Sequence, residues 1–432
     1  MAVWNRSDPK YLMGHSVDYE ERINWERIRK ERLGKLQKSM RSHDFGALLL
    51  YWPGNIRYAT GTRWLTAFTN IEFLRCALVP AEGQPILYEL MGVESEVRSF
   101  STPWVVDHMR PHIAWNYTGA GLPSMIDHWA REIQQGLKDL GASGTRLGVD
   151  RVDPAMVQAL TSKGIHWFDG RDCIYDAQMI KTVDEIELYK IGCAVTDACL
   201  DRAKEAIRPG VRESEIMAVI ADTGYRLGME FMQATVVASG GHTNPYNREF
   251  TDKMIRSGDL VILDVDLAAD GGYVCDYVRV FLCGEKATPK QKALYNECYE
   301  SLYSAITMVK DGVTTDKIAA HFPEYVDDKL KSFSLLQLGH GLGPVFYLPP
   351  IISRGVSFEY PMELKENMII ALETYAGPPG EAEGVRLEEN LLVTKDGFEY
   401  LSLYPLEPKL TDKTQPKTAA DILVRSRKGG KQ

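Results

Sequence analysis

The sequence predicts an α+β protein with a smaller N-terminal α/β domain in front of it. Three observations carry that reading. Over residues 1–172 helical and strand patterns alternate, which is the rhythm of an α/β layer structure. From residue 182 onward, long capped helices stand beside strands joined by tight turns, an antiparallel α+β pattern. The length, 432 residues, exceeds one ordinary core and suits two domains.

The elements follow in order. Residues 18–42 carry apolar residues at helical spacing in a charged stretch. "FGALLLYW" (45–52) reads as a buried strand closed by "PGN" as a turn, and "FLRCALVPAEGQPILYEL" (73–90) as two strands around a Gly/Pro turn. A helix near 123–141, a strand at 146–150, a helix near 153–163 and a strand at 164–170 complete the first domain. In the second domain, Thr182 and Glu185 form a capping-box signal for a helix over 182–207, and Pro209-Gly210 stops it. A helix over 212–228 and a strand over 232–240 come next. Strands at 258–266 and 273–284 flank the turn "AADGG". Helices over 288–310 and 314–332 precede strands at 366–375, 385–394 and 398–404. The domain boundaries are therefore 1–172 and 173–406. Residues 407–432, rich in Lys, Thr and Pro and ending in "RSRKGGKQ", read as a mobile basic tail.

Composition excludes several classes. The net charge of −9 argues against a nucleic-acid-binding surface. No apolar run reaches membrane-spanning length, and the charged N-terminus has no signal core, so no membrane partner is expected. The seven cysteines are scattered and include no CxxC pair, which suits reduced thiols in the cytoplasm rather than a disulfide scaffold or zinc–thiolate site. There is no P-loop and no GxGxxG fingerprint.

The stretch "VILDVDLAADGGYVCDYVR" (261–279) needs an explanation. Strands avoid aspartate, because a buried, unpaired carboxylate is costly. Yet Asp264 and Asp266 share one face of an apolar strand, and the turn folds Asp276 back beside them. Glu373 in "MIIALETYAG" and Glu388 in "GVRLEENLLV" repeat the pattern. His340 lies between glycines in "LQLGHGLGP", where backbone can approach closely. Clustered carboxylates repel unless protons or a cation intervene. Oxygen donors with one imidazole suit two divalent ions, Mn²⁺, Fe²⁺, Co²⁺ or Zn²⁺, able to activate water. Taken singly, each acid reads equally well as a strand-end residue.

These residues resemble the signature of the pita-bread superfamily, which includes methionine aminopeptidase, the Xaa-Pro peptidases and creatinase. The order is Asp264, then Asp276 with Arg279 in a "DxxR" setting, His340 in "GHGxG", Glu373, and Glu388 after Arg386 in "RxE". The resemblance spans the chain and implies the pita-bread fold, a creatinase-like N-terminal domain and a homodimer. It also implies that Glu373 shuttles a proton. The chain departs from the peptidase pattern in three places. Prolidase-like members have one residue fewer between the two aspartates, and here Asp266 is an extra acid. Pro245-Tyr246 stands where the family has Pro-His, and Tyr347 where it has a second His. The twelve-residue spacing and Asp266 resemble the dimethylsulfoniopropionate lyase branch, which makes Asp266 a sixth ligand. That branch carries an acidic base where Phe346 stands here.

The expected site is therefore Glu373 and His340 in catalysis, and Asp264, Asp266, Asp276, His340, Glu373 and Glu388 on the metals. His242, Tyr246 and Tyr347 are expected around a small-molecule substrate by motif position. Arg63 and Trp64, in "RYATGTRW", resemble the creatinase segment that reaches a partner's site; an Arg suits a carboxylate and an aromatic an onium cation. The first expectation is a dinuclear metal-dependent hydrolase of a C–N bond in a small carboxylate-bearing substrate. The alternatives are a C–S lyase of the dimethylsulfoniopropionate type and a non-catalytic binding protein of the same fold.

Overall fold

A computed structural model of the chain describes residues 23–63, 73–90, 97–98, 101–116, 118–322 and 337–416. The chain divides into two compact units, Met1–Gln178 and Met179–Gln432.

In the first unit, helix α1 (Trp25–Ser42) starts behind Asn24, whose side chain accepts from the Arg27 backbone N–H. Strand β1 (Ala47–Leu50) ends early because the N–H groups of Tyr51 and Trp52 donate to the Asp150 carboxylate at 2.7 and 3.0 Å. "PGN" is not a turn. Pro53 opens helix α2 (Pro53–Thr60), where its fixed φ suits the first helical turn, and Gly61 closes it at φ 74°. Then follow β2 (Cys76–Pro80), β3 (Ile86–Glu89), β4 (Met109–Pro111), α3 (Leu122–Asp139), β5 (Leu147–Val149), α4 (Pro154–Ser162), β6 (Trp167–Asp169) and α5 (Arg171–Met179). The strands form one mixed sheet in the order β4-β3-β2-β1-β5-β6. Alternate β1 residues pack on opposite faces: Leu49 joins Ile133 and Leu137 of α3, while Leu48 and Leu50 join Leu36 of α1 and Ile56 of α2. The boundary drawn at residue 172 falls inside α5.

The second unit begins with α6 (Val183–Ala206), which has the capping box expected from Thr182 and Glu185, and α7 (Glu213–Arg226). The strand expected over 232–240 is split into β7 (Phe231–Met232) and β8 (Val236–Ser239), because Thr235 turns its hydroxyl onto the Asp266 carbonyl at 3.0 Å. β9 (Leu260–Ala268) and β10 (Val274–Leu282) form an antiparallel hairpin, with β7 and β8 both pairing on β9. Helices α8 (Pro289–Ile306) and α9 (Thr315–Ala319) follow. The rest of the helix expected over 314–332 lies largely outside the described residues. A second antiparallel sheet, in the order β12-β11-β13-β14-β15, contains β11 (Gly339–Gly341), β12 (Leu348–Ile352), β13 (Ile369–Ala376), β14 (Val385–Val393) and β15 (Phe398–Tyr400). Short helix α10 (Arg354–Ser357) lies between β12 and β13. The glycine stretch around His340 is thus a strand. A Cβ at Gly339 would collide with the Ala371 carbonyl and one at Gly341 with that of Pro349.

Face alternation places the acids. Odd-numbered residues of β9, Val261, Leu263 and Val265, pack with Leu200 of α6 and Ile216 of α7. The even face begins with Leu260 and Ile262, which pack against α8, and continues with Asp264 and Asp266. Among the described residues no helix is long and apolar enough to cross a membrane.

The expected mobile tail is corrected over residues 407–416. Leu406 and Leu410 belong to the main core, the Tyr299 hydroxyl donates to the Thr414 carbonyl at 2.9 Å, and Gln415 donates to Glu389 at 2.9 Å. Two apolar side chains at helical spacing were enough to dock a segment whose composition reads as polar. Residues 417–432 lie outside the described residues. Leu410 is fully buried, so Leu410→Ala should lower the unfolding free energy by about 2–4 kcal/mol in urea titration. A freely mobile tail would give no change.

Candidate metal centre

The two strand ladders set like charges against each other. In the β9–β10 hairpin Asp266 faces Asp276, and Asp264 faces Val278 two pairs further on. In the β13–β14 hairpin Glu373 faces Glu388, and Tyr375 faces Arg386. His340 comes from β11, which pairs with β13. The structure gathers Asp264, Asp266 and Asp276 into one group of potential ligand atoms. Asp276, His340 and Glu388 form a second, with the atoms of each group within 4.8 Å of one another. Asp276 belongs to both.

Every one of these side chains is buried. Among the described residues, Asp264 Oδ1, Asp266 Oδ1, both Glu388 carboxylate oxygens and His340 Nε2 have no hydrogen-bond partner. His340 Nε2 lies 3.2 Å from Asp276 Oδ2, and its Nδ1 faces the Gly341 carbonyl at 3.1 Å, which fixes the ring. Buried acceptors without donors are costly. Their convergence, with oxygen donors dominating and one imidazole, fits a divalent cation.

Glu373 stands apart from both groups. One of its oxygens accepts from Gln337 Nε2 at 2.9 Å and the other from Arg386 Nη2. The Arg386 guanidinium also lies 3.6 Å from Asp264 and 3.6 Å from Glu388. It brings a guanidinium cation into the cluster. Strand parity could have located it, because Arg386 is two residues from Glu388 and must share its face. Gln337 carries no such signal.

Electrostatics follow from this crowding. Burial first, and then Asp276, lifts the Asp264 carboxyl to about 6, although Arg386 opposes the rise. Burial and both neighbouring aspartates hold Asp266 well above its ordinary range. Burial, Asp276 and Glu373 do the same for Glu388. Burial also acts to raise Asp276, but the adjacent His340 imidazole and Asp266 outweigh it and leave this carboxyl lowered. Burial acts to lower His340, and Asp276 reverses that. Without a cation the cluster therefore holds protons.

Groups beside and behind the ligands lock the two sheets together. Asn390 of β14 donates through Nδ2 to the Asp276 carbonyl and accepts from the Asp276 N–H at 3.2 Å. Arg279 of β10 donates to the Glu388 carbonyl at 2.8 Å and to the Glu389 carboxylate at 3.0 and 3.1 Å. The strands carrying Asp276 and Glu388 are thus held in register by Asn390, on the same face of β14 as Glu388, and by the Arg279–Glu389 pair on the opposite faces.

A cavity of about 480 Å³ opens onto the cluster. Tyr246 and Tyr347 line it, as expected. The Tyr246 hydroxyl donates to Asp264 Oδ2 at 2.8 Å, and the Tyr347 ring packs edge-on to His340 at 4.5 Å. His242 is not among the lining residues. Its Nδ1 lies 3.2 Å from both oxygens of the buried Glu213 carboxylate. Arg63 lies in the first unit, where its carbonyl accepts from Arg75 Nη1 at 2.8 Å, and Trp64 lies outside the described residues. Sequence reasoning missed Met217, Met232, Arg248 and Phe250 as cavity residues. They come from a helix, a strand and a loop that only tertiary packing brings together.

The chain is similar to known proteins along most of its length. The model of metallopeptidase family M24 matches residues 187–395, and that of the creatinase/prolidase N-terminal domain matches residues 32–180. The chain is 30% identical over 384 residues to the Xaa-Pro dipeptidase of Pyrococcus furiosus, covering 86% of this chain and 98% of that protein. It is 25% identical over 397 residues to the dimethylsulfoniopropionate lyase DddP of Roseovarius nubinhibens, covering 89% of this chain and 88% of that protein. The Xaa-Pro dipeptidase structure from Bacillus anthracis superposes with a TM-score of 0.70 at 22% identity, over 88% of this chain and 99% of that one. The prolidase structure from Pyrococcus horikoshii gives 0.69 at 23% identity, over 87% and 99%. The expected pita-bread fold with a smaller N-terminal domain is borne out.

The cluster makes stability pH-dependent in a testable direction. Asp264, Asp266 and Glu388 bind protons more tightly folded than unfolded. Their contribution is complete below the ordinary carboxylate range and is lost as pH rises through the raised values. His340 acts in the same direction, and Asp276 in the opposite one. In chelator, urea titration should show lower stability at pH 7 than at pH 5, with about 1 kcal/mol from Asp264 alone. Added Mn²⁺ should remove or reverse the difference, because the ion replaces the protons.

Proposed function

We propose a function from one premise: the chain belongs to metallopeptidase family M24. The reading is a hydrolase of a C–N bond in a small carboxylate-bearing substrate, dependent on two divalent ions that the two ligand groups, with Asp276 common to both, would hold. One observation carries it. The unpartnered buried ligand atoms converge from both hairpins beside an open cavity whose wall at position 346 is Phe346, a residue unable to take a proton.

Ions bound there would supply a Lewis acid and a water made acidic enough to attack near neutral pH. The chain's own residues do the rest. Glu373 is placed to hold and pass a proton, with Gln337 and Arg386 fixing its two oxygens. Tyr246 fixes Asp264 through its hydroxyl, leaving Oδ1 free for a ligand. Arg386 spreads positive charge over Glu373, Asp264 and Glu388.

C–S lysis is the second reading, favoured by Asp266 within the cluster and by the similarity to the lyase. It needs a base for the proton next to the substrate carboxylate. The position at which the lyase branch carries its acidic base is Phe346 here, and this favours hydrolysis.

The test is an assay of Mn²⁺-, Fe²⁺-, Co²⁺- and Zn²⁺-loaded protein on dipeptides, amidines and dimethylsulfoniopropionate, with amine and volatile sulfide measured separately. Amine release lost on chelation supports the proposal, and sulfide release alone replaces it with the lyase reading. In the active assay, Glu373→Gln should lower kcat about 100-fold or more. Metal content measured in parallel separates the two roles: retained ions assign proton transfer to Glu373, and lost ions assign ligation.

A further inference from the structure

The segment after β15 docks on α8 at several points. The Glu407 N–H donates to the Tyr295 hydroxyl at 3.4 Å, the Thr411 hydroxyl to Asn296 Oδ1 at 3.0 Å, and the Tyr299 hydroxyl to the Thr414 carbonyl at 2.9 Å. Lys413 pairs with Glu300 and lies over the Tyr299 ring, 4.7 Å from its centre. These contacts deliver the half-buried Gln415 to one place. Its amide nitrogen carries two hydrogens, and both are used. One goes to Glu389 Oε1 at 2.9 Å and the other to the Ser402 carbonyl at 3.0 Å.

Glu389 follows Glu388 on β14, so it points to the opposite face from that ligand. Its fully buried carboxylate accepts from Arg279 at 3.0 and 3.1 Å, from the Tyr303 and Ser402 hydroxyls, and from Gln415. Two routes lead from it to the candidate metal ligands. Arg279 also donates to the Glu388 carbonyl at 2.8 Å. The Ser402 hydroxyl oxygen accepts from the Asn390 N–H at 3.0 Å, and the Asn390 side chain grips both the N–H and the carbonyl of Asp276. A buried carboxylate with every donor in place orders the groups bonded to it, and the low dielectric around it strengthens each bond. Withdrawing the Gln415 amide removes one donor from Glu389 and frees the segment that carries Ser402.

We propose that Gln415 is a positioning residue for the metal centre, acting through Glu389 on Asp276 and Glu388, and that the docked C-terminal segment thereby sets how tightly the centre holds its ions. The proposal rests on the metal-centre reading. Gln415 contacts the centre only through other residues and is not among the cavity-lining ones.

The experiment titrates Mn²⁺ calorimetrically into full-length protein stripped with chelator, at about pH 8, where an exposed glutamate is ionised. Gln415→Leu, which removes both donors, should weaken binding about three- to tenfold, at or below the usual effect of a group that orients a ligand. Gln415→Glu keeps the size of the side chain but sets a carboxylate against Glu389, and should weaken binding by about tenfold or more. Ile133→Val, a core change in the first unit, should leave the affinity unchanged. Circular dichroism verifies that each variant is folded. Wild-type affinity in either Gln415 variant, or an equal loss in Ile133→Val, would overturn the positioning role and leave the metal centre standing. Absence of Mn²⁺ binding by the wild type would overturn the metal reading, and the positioning role with it.

Discussion

Two like-charge pairs, each set directly across a strand ladder, are the constraint on which the larger unit depends. Asp266 faces Asp276, and Glu373 faces Glu388. Opposed carboxylates destabilise a sheet, and burial makes the cost worse. The fold accepts that cost twice and brings the two hairpins together so that both pairs meet. Arg386 relieves part of the repulsion at Glu373. Among the described residues it leaves Asp264 Oδ1, Asp266 Oδ1 and both Glu388 oxygens without hydrogen-bond partners. Only a cation, or protons in its place, completes the balance.

The surrounding architecture makes sense as support for that balance. Helices α6 and α7 cover the apolar face of the β9–β10 hairpin, and α8 packs beside the second sheet. Asn390 and Arg279 clamp β10 to β14, so the ligands cannot drift apart to relieve their repulsion. On the open side, Glu213 and Tyr246 hold the loop that walls the cavity. One is anchored at the loop's base, and the other touches Asp264 at its tip. The Tyr246 hydroxyl thus links this loop to the carboxylate cluster.

Much of this was legible in the sequence, for a physical reason. Strand alternation and a tight turn determine which side chains share a face, so Asp264, Asp266 and Asp276 could be placed together from local pattern alone. The capping box of α6 was equally local. The same logic extends to Arg386, whose parity with Glu388 was available but unused. What escaped was non-local. Met217, Phe250 and Phe346 meet only after three distant elements pack. The helix α2 was hidden because Pro-Gly-Asn is turn chemistry unless the preceding strand is capped, here by Asp150, some hundred residues away. The docked segment 407–416 was hidden because Leu406 and Leu410 outweigh a polar composition only when a core awaits them.

The central claim is that the buried carboxylates exist to hold two ions bridged by Asp276. It is tested most directly by elemental analysis of protein stripped with chelator, reloaded with Mn²⁺ and desalted, for the wild type, Asp266→Ala and Asp276→Ala. The prediction is about two ions per chain in the wild type, about one in Asp266→Ala, and almost none in Asp276→Ala, because Asp276 belongs to both groups. Ion content that is negligible in the wild type, or unchanged by Asp276→Ala, would contradict it.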